Sequence, residues 1–254
     1  MILALCGTIE GRELVKRLSE KNIPLIATVT TEYGGKLLQE NMDIEILTEK
    51  LDKNRMKELI AKRNVKEILD ITHPYAENIS KLALEVSKEE NIDYYRYERQ
   101  DTIHTGDSDE GIIWADDFHH AAKIASEIEG KVFLTIGSNQ IPIFLEKIVA
   151  DRLIARVLPL SNIVKLCEQR GFTPDNLIAM KGPFNKEINI QMFKNYKASV
   201  IVAKDSGKTG GTDEKIQAAR ELDLPVILVK KPTLEYENLY KNMNLLVDKI
   251  ASLY

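Results

Sequence analysis

The stretch Ile2-Leu3-Ala4-Leu5-Cys6-Gly7-Thr8-Ile9-Glu10-Gly11-Arg12, with a helical run to Lys21 and then Pro24-Leu25-Ile26-Ala27-Thr28-Val29, sets the fold class of this chain. A short apolar run, a glycine-bounded turn, a helix-period segment and a second apolar run make a β-α-β unit. Short strands separated by helices form a parallel sheet, because right-handed crossovers cover both of its faces. The alternation continues through strands near 44–47, 67–71 and 93–97, with helices at about 55–62 and 76–88. A first lobe is therefore expected over residues 1–98.

From about Glu98 to Gly111 the sequence turns polar and loses its apolar period, which marks a boundary in 98–111. A second winding follows over 112–254. Its strands are expected at Ile112-Ile113-Trp114, Val132 to Ile136, Leu153 to Leu158, Leu177 to Met180, Ser199 to Ala203 and Pro225 to Val229, and its closing helix at Leu239 to Leu253. The fold class read from this pattern is α/β, with two doubly wound Rossmann-like lobes of mainly parallel sheet. No repeat of fixed length is present.

The 254 residues are 44% hydrophobic and 29% charged, the balance of a folded protein with a sizeable core. A net charge of −4 gives no general attraction to nucleic acid or to an acidic membrane. The run Tyr94-Tyr95-Arg96-Tyr97-Glu98-Arg99 reads as a strand with one wet face rather than as a nucleic-acid surface. The apolar start is too short for a signal peptide or a span, and Cys6 and Cys167 form neither a disulfide framework nor a CxxC metal site. A cytoplasmic protein is expected, and its oligomeric state stays open.

In such sheets ligands sit beyond the carboxyl ends of strands, where the winding reverses, so the strand-end loops are the candidate site. Gly7 and Gly11 allow a tight turn and close backbone approach, and the following helix offers amides and a positive dipole end to a phosphate. Thr8 is expected to add a hydroxyl donor, and Arg12 a cation. The pattern G-x-x-x-G is shorter than the full dinucleotide fingerprint. Beyond the second strand, Thr30-Thr31 and Gly34-Gly35 lie where the adenosine ribose is expected, and hydroxyls there lean towards NADP, although Glu32 follows closely. His73-Pro74-Tyr75 closes another strand, with Pro74 suited to a first helical turn; these residues serve either as a plain turn or as contacts to nicotinamide or substrate.

In the second half, Lys204-Asp205-Ser206-Gly207-Lys208-Thr209-Gly210-Gly211 invites a Walker A reading, but the glycine that motif needs at position 202 is Val202. A general anion site remains, built from glycine amides, hydroxyls and lysines. Gly137-Ser138 and Lys181-Gly182-Pro183-Phe184 also follow strands, and with Arg156 they suit an acidic substrate. Asp116, His119 and His120 lie together at a helix start, where acids chiefly answer the dipole, so no metal site is assigned. No nucleophile elbow is present.

Taken in order, Leu5-Cys6-Gly7-Thr8-Ile9-Glu10-Gly11-Arg12, Asp70-Ile71-Thr72-His73-Pro74-Tyr75-Ala76, Thr135-Ile136-Gly137-Ser138, Lys181-Gly182-Pro183-Phe184 and Lys204-Asp205-Ser206-Gly207 with Gly210-Gly211 resemble the precorrin-6A reductase family over nearly the whole chain. The resemblance implies an enzyme of cobalamin biosynthesis that reduces one double bond of the tetrapyrrole-derived precorrin-6A, or of its cobalt form, to precorrin-6B with NADPH or NADH. It also implies strands exchanged between the two lobes. Cofactor contacts are expected from Gly7, Thr8, Glu10, Gly11, Arg12, Thr30, Thr31, Gly34, Gly35, His73 and Pro74. Substrate contacts are expected from Gly137, Ser138, Arg156, Lys181, Gly182, Pro183, Phe184, Lys204, Ser206, Gly207, Gly210 and Gly211. Candidates for orientation or proton delivery are His73, Tyr75, Lys204 and Asp205. Two rival readings are another NAD(P)-dependent oxidoreductase and a non-catalytic nucleotide sensor.

Overall fold

The computed structural model describes residues 1–39, 44–98, 110–206 and 211–254. Gly207 and Gly210, and most of the expected boundary segment 98–111, lie outside the described residues.

The first sheet contains β1 (Ile2–Cys6), β2 (Leu25–Val29), β3 (Glu45–Thr48), β4 (Glu67–Ile71) and β5 (Asp93–Tyr97), all paired in parallel. β1, β2 and β4 are buried along their whole length; β1 and β2 read as nearly unbroken apolar runs rather than alternating ones, whereas β4 carries the buried Glu67 and Asp70. The crossovers are α1 (Ile9–Glu20), α2 (Glu32–Gln39), α3 (Lys53–Arg63) and α4 (Glu77–Glu90). Each helix is anchored by its own stripe; α1 buries Gly11, Leu14, Val15 and Leu18. Asp52 caps the start of α3, and Asn64, in the left-handed region at φ 50°, ends it.

The second sheet contains β6 (Ile112–Ala115), β7 (Lys131–Leu134), β8 (Leu153–Val157), β9 (Leu177–Ala179), β10 (Ala198–Lys204) and β11 (Val226–Val229). Its helices are α5 (Phe118–Glu127), α6 (Ile141–Leu145), α7 (Ser161–Gln169), α8 (Lys186–Asn195) and α9 (Thr212–Arg220). The chain ends in β12 (Leu239–Tyr240) and α10 (Met243–Ala251).

The spatial orders are β3-β2-β1-β4-β5-β12 and β9-β8-β7-β10-β11-β6. Both follow the doubly wound dinucleotide-binding order over five strands, with the winding reversing at β1/β4 and at β7/β10. The sixth positions are traded. After β5 the next strand in sequence, β6, pairs with β11 in the second sheet, and after β11 the next strand, β12, returns to pair with β5. The strand exchange implied by the resemblance is therefore present.

The linear division fails at the C-terminus for the same reason. The compact units are Met1–Gln100 with Pro232–Tyr254, and Asp101–Lys231, whereas the sequence reading assigned all of 112–254 to one lobe. The expected closing helix over 239–253 is a two-residue strand followed by a helix, because the Asn238 and Tyr240 carbonyls accept from the amides of Arg96 and Glu98. Leu246, Val247 and Ile250 of α10 then complete the core around Ile2, Ala4 and Leu14. Leu246 is fully buried. Leu246→Ala is expected to cost about 2–5 kcal/mol of stability in urea denaturation, a cavity penalty that an independently packed C-terminal tail would not show.

Candidate functional site

In the first unit the loops after β1 and β4 meet at the winding reversal. The Thr8 hydroxyl accepts from the Gly11 amide at 2.9 Å and donates to the Ile71 carbonyl at 3.1 Å. It therefore caps α1 and ties the first loop to the end of β4, instead of serving as the expected phosphate donor. Gly11 is buried where a Cβ would lie 3.4 Å from the Ile71 carbonyl oxygen, so its role is close helix-to-strand packing. Gly7 is exposed, and a Cβ there would meet nothing within 4 Å. That leaves open backbone at the positive end of α1, the geometry a phosphate needs. Arg12 lies one turn further along α1. Thr8, Glu10 and Pro74 share a small recess with Thr72, Tyr97 and Glu98, of which the last three were not anticipated.

Beyond β2, Thr30 and Thr31 are exposed as expected. Gly34 and Gly35, however, belong to α2, a helix not foreseen. Thr31 accepts from the Gly34 amide at 3.1 Å, and a Cβ on Gly35 would sit 2.7 Å from the Thr48 hydroxyl. These glycines let the helix lie close on the strands; they are not a loop wrapped around a ligand.

The His73 loop is held from below. Asp70 at the end of β4 is fully buried and accepts five hydrogen bonds: from the Thr72 amide (2.9 Å), the Thr72 hydroxyl (2.6 Å), Ser80 (2.6 Å), Tyr94 (2.6 Å) and Arg96 (2.7 Å). Arg96, also fully buried, donates in addition to Thr72 and to Glu98, and lies 5.6 Å from the centre of the Tyr236 ring. Burial alone would pull the Arg96 pKa down, but the Asp70 charge reverses this and raises it. Burial, reinforced by Asp70, raises that of Tyr94. Above this network His73 Nδ1 accepts from the Tyr75 amide at 3.2 Å, which assigns the ring proton to Nε2, and the two rings are 5.6 Å apart.

In the second unit the loops after β7, β8, β9 and β10 carry the candidates. Gly137 adopts φ 82° ahead of a single 3₁₀ turn that begins at Ser138, and a Cβ there would meet nothing within 4 Å. Arg156, at the end of β8, does not snorkel to water. It is 7% exposed, stacks 4.2 Å from the Phe184 ring centre, and donates to Asn189 at 2.8 Å. Asn189 in turn donates to the Phe184 and Asn185 carbonyls, so α8 fixes both Arg156 and the Gly182-Pro183-Phe184 loop. Lys181 and Pro183 are exposed beside it. At the end of β10 the Thr212 hydroxyl accepts from the Ser206 amide and donates to the Lys204 carbonyl, closing the loop as Thr8 does in the first unit. Gly211, at φ 64°, starts α9 in the left-handed region. Lys204 is held down to about 8 by burial. Lys215, not foreseen, is held down to about 7 by burial first, then by Arg156 and Lys204.

Residues 1–251 match the family described as precorrin-6x reductase CbiJ/CobK. The chain belongs to this family. A cobalt-precorrin-6A reductase of Priestia megaterium is 35% identical over 255 residues, spanning 99% of this chain and 98% of that protein. Another, of Methanocaldococcus jannaschii, is 37% identical with the same coverage. A solved structure of CobK precorrin-6A reductase covers 99% of this chain and 96% of its own with a TM-score of 0.76; at 19% identity it shows the shared fold. As a precorrin-6x reductase the chain is an oxidoreductase of cobalamin biosynthesis that reduces a carbon–carbon double bond of a precorrin macrocycle and uses a nicotinamide cofactor.

Asp116 and His120 lie together at the start of α5, where His120 Nδ1 accepts from the Asp116 amide. Asp116 pairs with Lys230 at 2.7 Å, and Asp117 caps α5. Among the described residues the reductase thus gathers Gly7, Thr8, Glu10 and Pro74 at one winding reversal. It gathers Arg156, Phe184, Lys204 and Ser206 near the other.

The lysines make a pH prediction. Both titrate in the folded chain below the ordinary 10.5, so between about pH 7 and 10.5 the unfolded chain holds more protons and stability rises with pH. Above pH 9 the buried Cys6 thiol, pushed up to about 12 by burial and by Asp70, acts in the opposite sense. From pH 7 to 9 the ligand-free wild type is expected to gain stability in urea denaturation, and Lys215→Met to gain less. Parallel curves would contradict the assignment.

Proposed function

We propose that this reductase acts on cobalt-precorrin-6A with NADPH, the first unit holding the dinucleotide and the second the carboxylates of the macrocycle. The observation that carries the cofactor half is Gly7, exposed, with nothing within 4 Å of where a Cβ would sit, at the head of α1 and at the winding reversal of a sheet in dinucleotide-binding order. Glu10 and Glu98 line the neighbouring recess, so the phosphates belong at Gly7 and the helix end, away from those carboxylates. The cobalt form is favoured because both relatives described above carry that substrate in their names.

NADPH is favoured by the end of β2. Exposed Thr30 and Thr31 at the strand end, ahead of the N-terminus of α2, present hydroxyls and a positive dipole end to a 2′-phosphate, and the nearest carboxylate, exposed Glu32, comes only at the first residue of α2. Hydride transfer is the chemistry the cofactor supplies. The chain's part is to orient the reacting groups and to bring one proton. We assign orientation of the nicotinamide or proton delivery to His73 and Tyr75, which stand over the Asp70 network. Lys204 and Asp205 belong with the substrate loops.

The test is an anaerobic assay of cobalt-precorrin-6A and precorrin-6A with each cofactor. We expect cobalt-precorrin-6A with NADPH to give the highest kcat/KM. We expect Thr31→Asp, which keeps the cap on Gly34, to lower NADPH affinity about tenfold by repelling the 2′-phosphate and to leave NADH affinity nearly unchanged. A preference for NADH in the wild type would overturn the cofactor assignment, and a preference for the metal-free macrocycle the substrate assignment.

A further inference from the structure

Glu98 is held in the recess at the winding reversal of the first sheet, yet only one of its carboxylate oxygens is used. Its amide donates to the Tyr240 carbonyl at 3.0 Å, which fixes the backbone just beyond β5. One carboxylate oxygen accepts from Arg96 Nε at 3.1 Å, and among the described residues the other takes no donor. The side chain is 18% exposed and lines the recess with Thr8, Thr72 and Pro74.

Pairing with Arg96 does not account for this carboxylate. Arg96 already has Asp70 at 2.7 Å, so one buried cation faces two anions. A guanidinium presents Nε and Nη2 as a fork that matches both oxygens of a carboxylate. Glu98 takes only Nε, and Nη2 stays buried with no hydrogen-bond partner among the described residues. A counter-ion placed for stability alone would close that fork.

The other polar groups of the recess are already committed. Thr8 serves the Ile71 carbonyl and the Gly11 amide, Thr72 serves Asp70 and Arg96, and Pro74 has no amide proton. Glu98 keeps acceptor capacity, so a hydrogen-bond donor completes the recess, which has room for about one water-sized group. In a sheet of this order the adenosine half of a dinucleotide lies on the β2 side of the winding reversal and the nicotinamide half on the β4–β5 side. Glu98 follows β5.

Resting on the reading that the first unit holds the dinucleotide, we propose that Glu98 accepts a hydrogen bond from the ribose hydroxyls on the nicotinamide side of the cofactor, and that Arg96 positions it for this. A carboxylate receives uncharged hydroxyl donors strongly and turns phosphates away towards Gly7. The nicotinamide half is thereby tied to the same Asp70–Arg96 pair that supports the His73 loop.

The test compares binding of NADPH to the full chain with binding of adenosine 2′,5′-bisphosphate, which has the adenosine half of NADPH and no nicotinamide-side ribose. We expect Glu98→Ala to weaken NADPH about tenfold and to leave the bisphosphate unchanged. Glu98→Gln, whose amide oxygen still accepts, should lose less. In the wild type, an NADPH analogue lacking the hydroxyls of the nicotinamide-side ribose should bind about tenfold more weakly than NADPH, a measurement that needs no variant to fold. NADPH affinity within about twofold of the wild type in Glu98→Ala, equal weakening of NADPH and the bisphosphate, or equal binding of NADPH and the analogue by the wild type overturns the assignment and leaves the cofactor reading standing. Gly7→Asp tests that reading separately and should weaken both ligands by placing a carboxylate against phosphate. Wild-type affinity for both in the folded Gly7→Asp variant would overturn the placement of the dinucleotide and the Glu98 assignment with it.

Discussion

The carboxylate of Asp70, fully buried and receiving five hydrogen bonds, is the constraint on which the first unit depends. Asp70 is on β4 and its donors come from the following loop, α4 and β5, so one charge fixes the relative height of four pieces of chain at the winding reversal. An ion pair taken out of water is stable only when its remaining valences are met; Thr72, Ser80 and Tyr94 meet those of Asp70, and Glu98 and Thr72 take Arg96 Nε and Nη1, while Arg96 Nη2 has no hydrogen-bond partner among the described residues. The His73-Pro74-Tyr75 loop rises directly from this network, which makes its position a property of the core and not of the surface.

The traded sixth strands follow a similar logic. β12 lies against β5 at the level of Arg96, with the Leu239–Arg96 pair in register, and the segment leading to it brings Tyr236 onto Tyr94 with ring centres 6.0 Å apart. The far end of the chain therefore covers the edge of the first sheet and walls in the Asp70–Arg96 pair. The edge of the first sheet beyond β5 is closed by β12, supplied from the far end of the chain, whereas all six strands of the second sheet lie within residues 101–231.

Much of this was legible in the sequence. Largely apolar runs marked β1, β2, β4, β10 and β11, and the glycine-bounded turn at 7–11 located the first winding reversal. β12 was missed because two strand residues followed by α10 read as one helical period. The helix α2 was missed because Gly34-Gly35 signals a turn, although the same lack of side chains is what lets a helix approach Val29 and Thr48. Thr8 was read for its hydroxyl, and the hydroxyl is used, but on Ile71. The Asp70–Arg96 pair joins strands 26 positions apart, and nothing local to either residue announces it. Lys215 follows Asp213 and Glu214 and so resembles a solvated helix face; only burial separates it from one.

The central claim is that the buried Asp70 charge sets the cofactor loop. Its most direct test is the NADPH dissociation constant of Asp70→Asn, measured on protein shown by circular dichroism to be folded. Asparagine keeps the size of the side chain but loses the charge that orders its donors. The account predicts weakening of about tenfold or more, a loss of about 1.4 kcal/mol of binding free energy or greater. Wild-type affinity in the folded variant would contradict it.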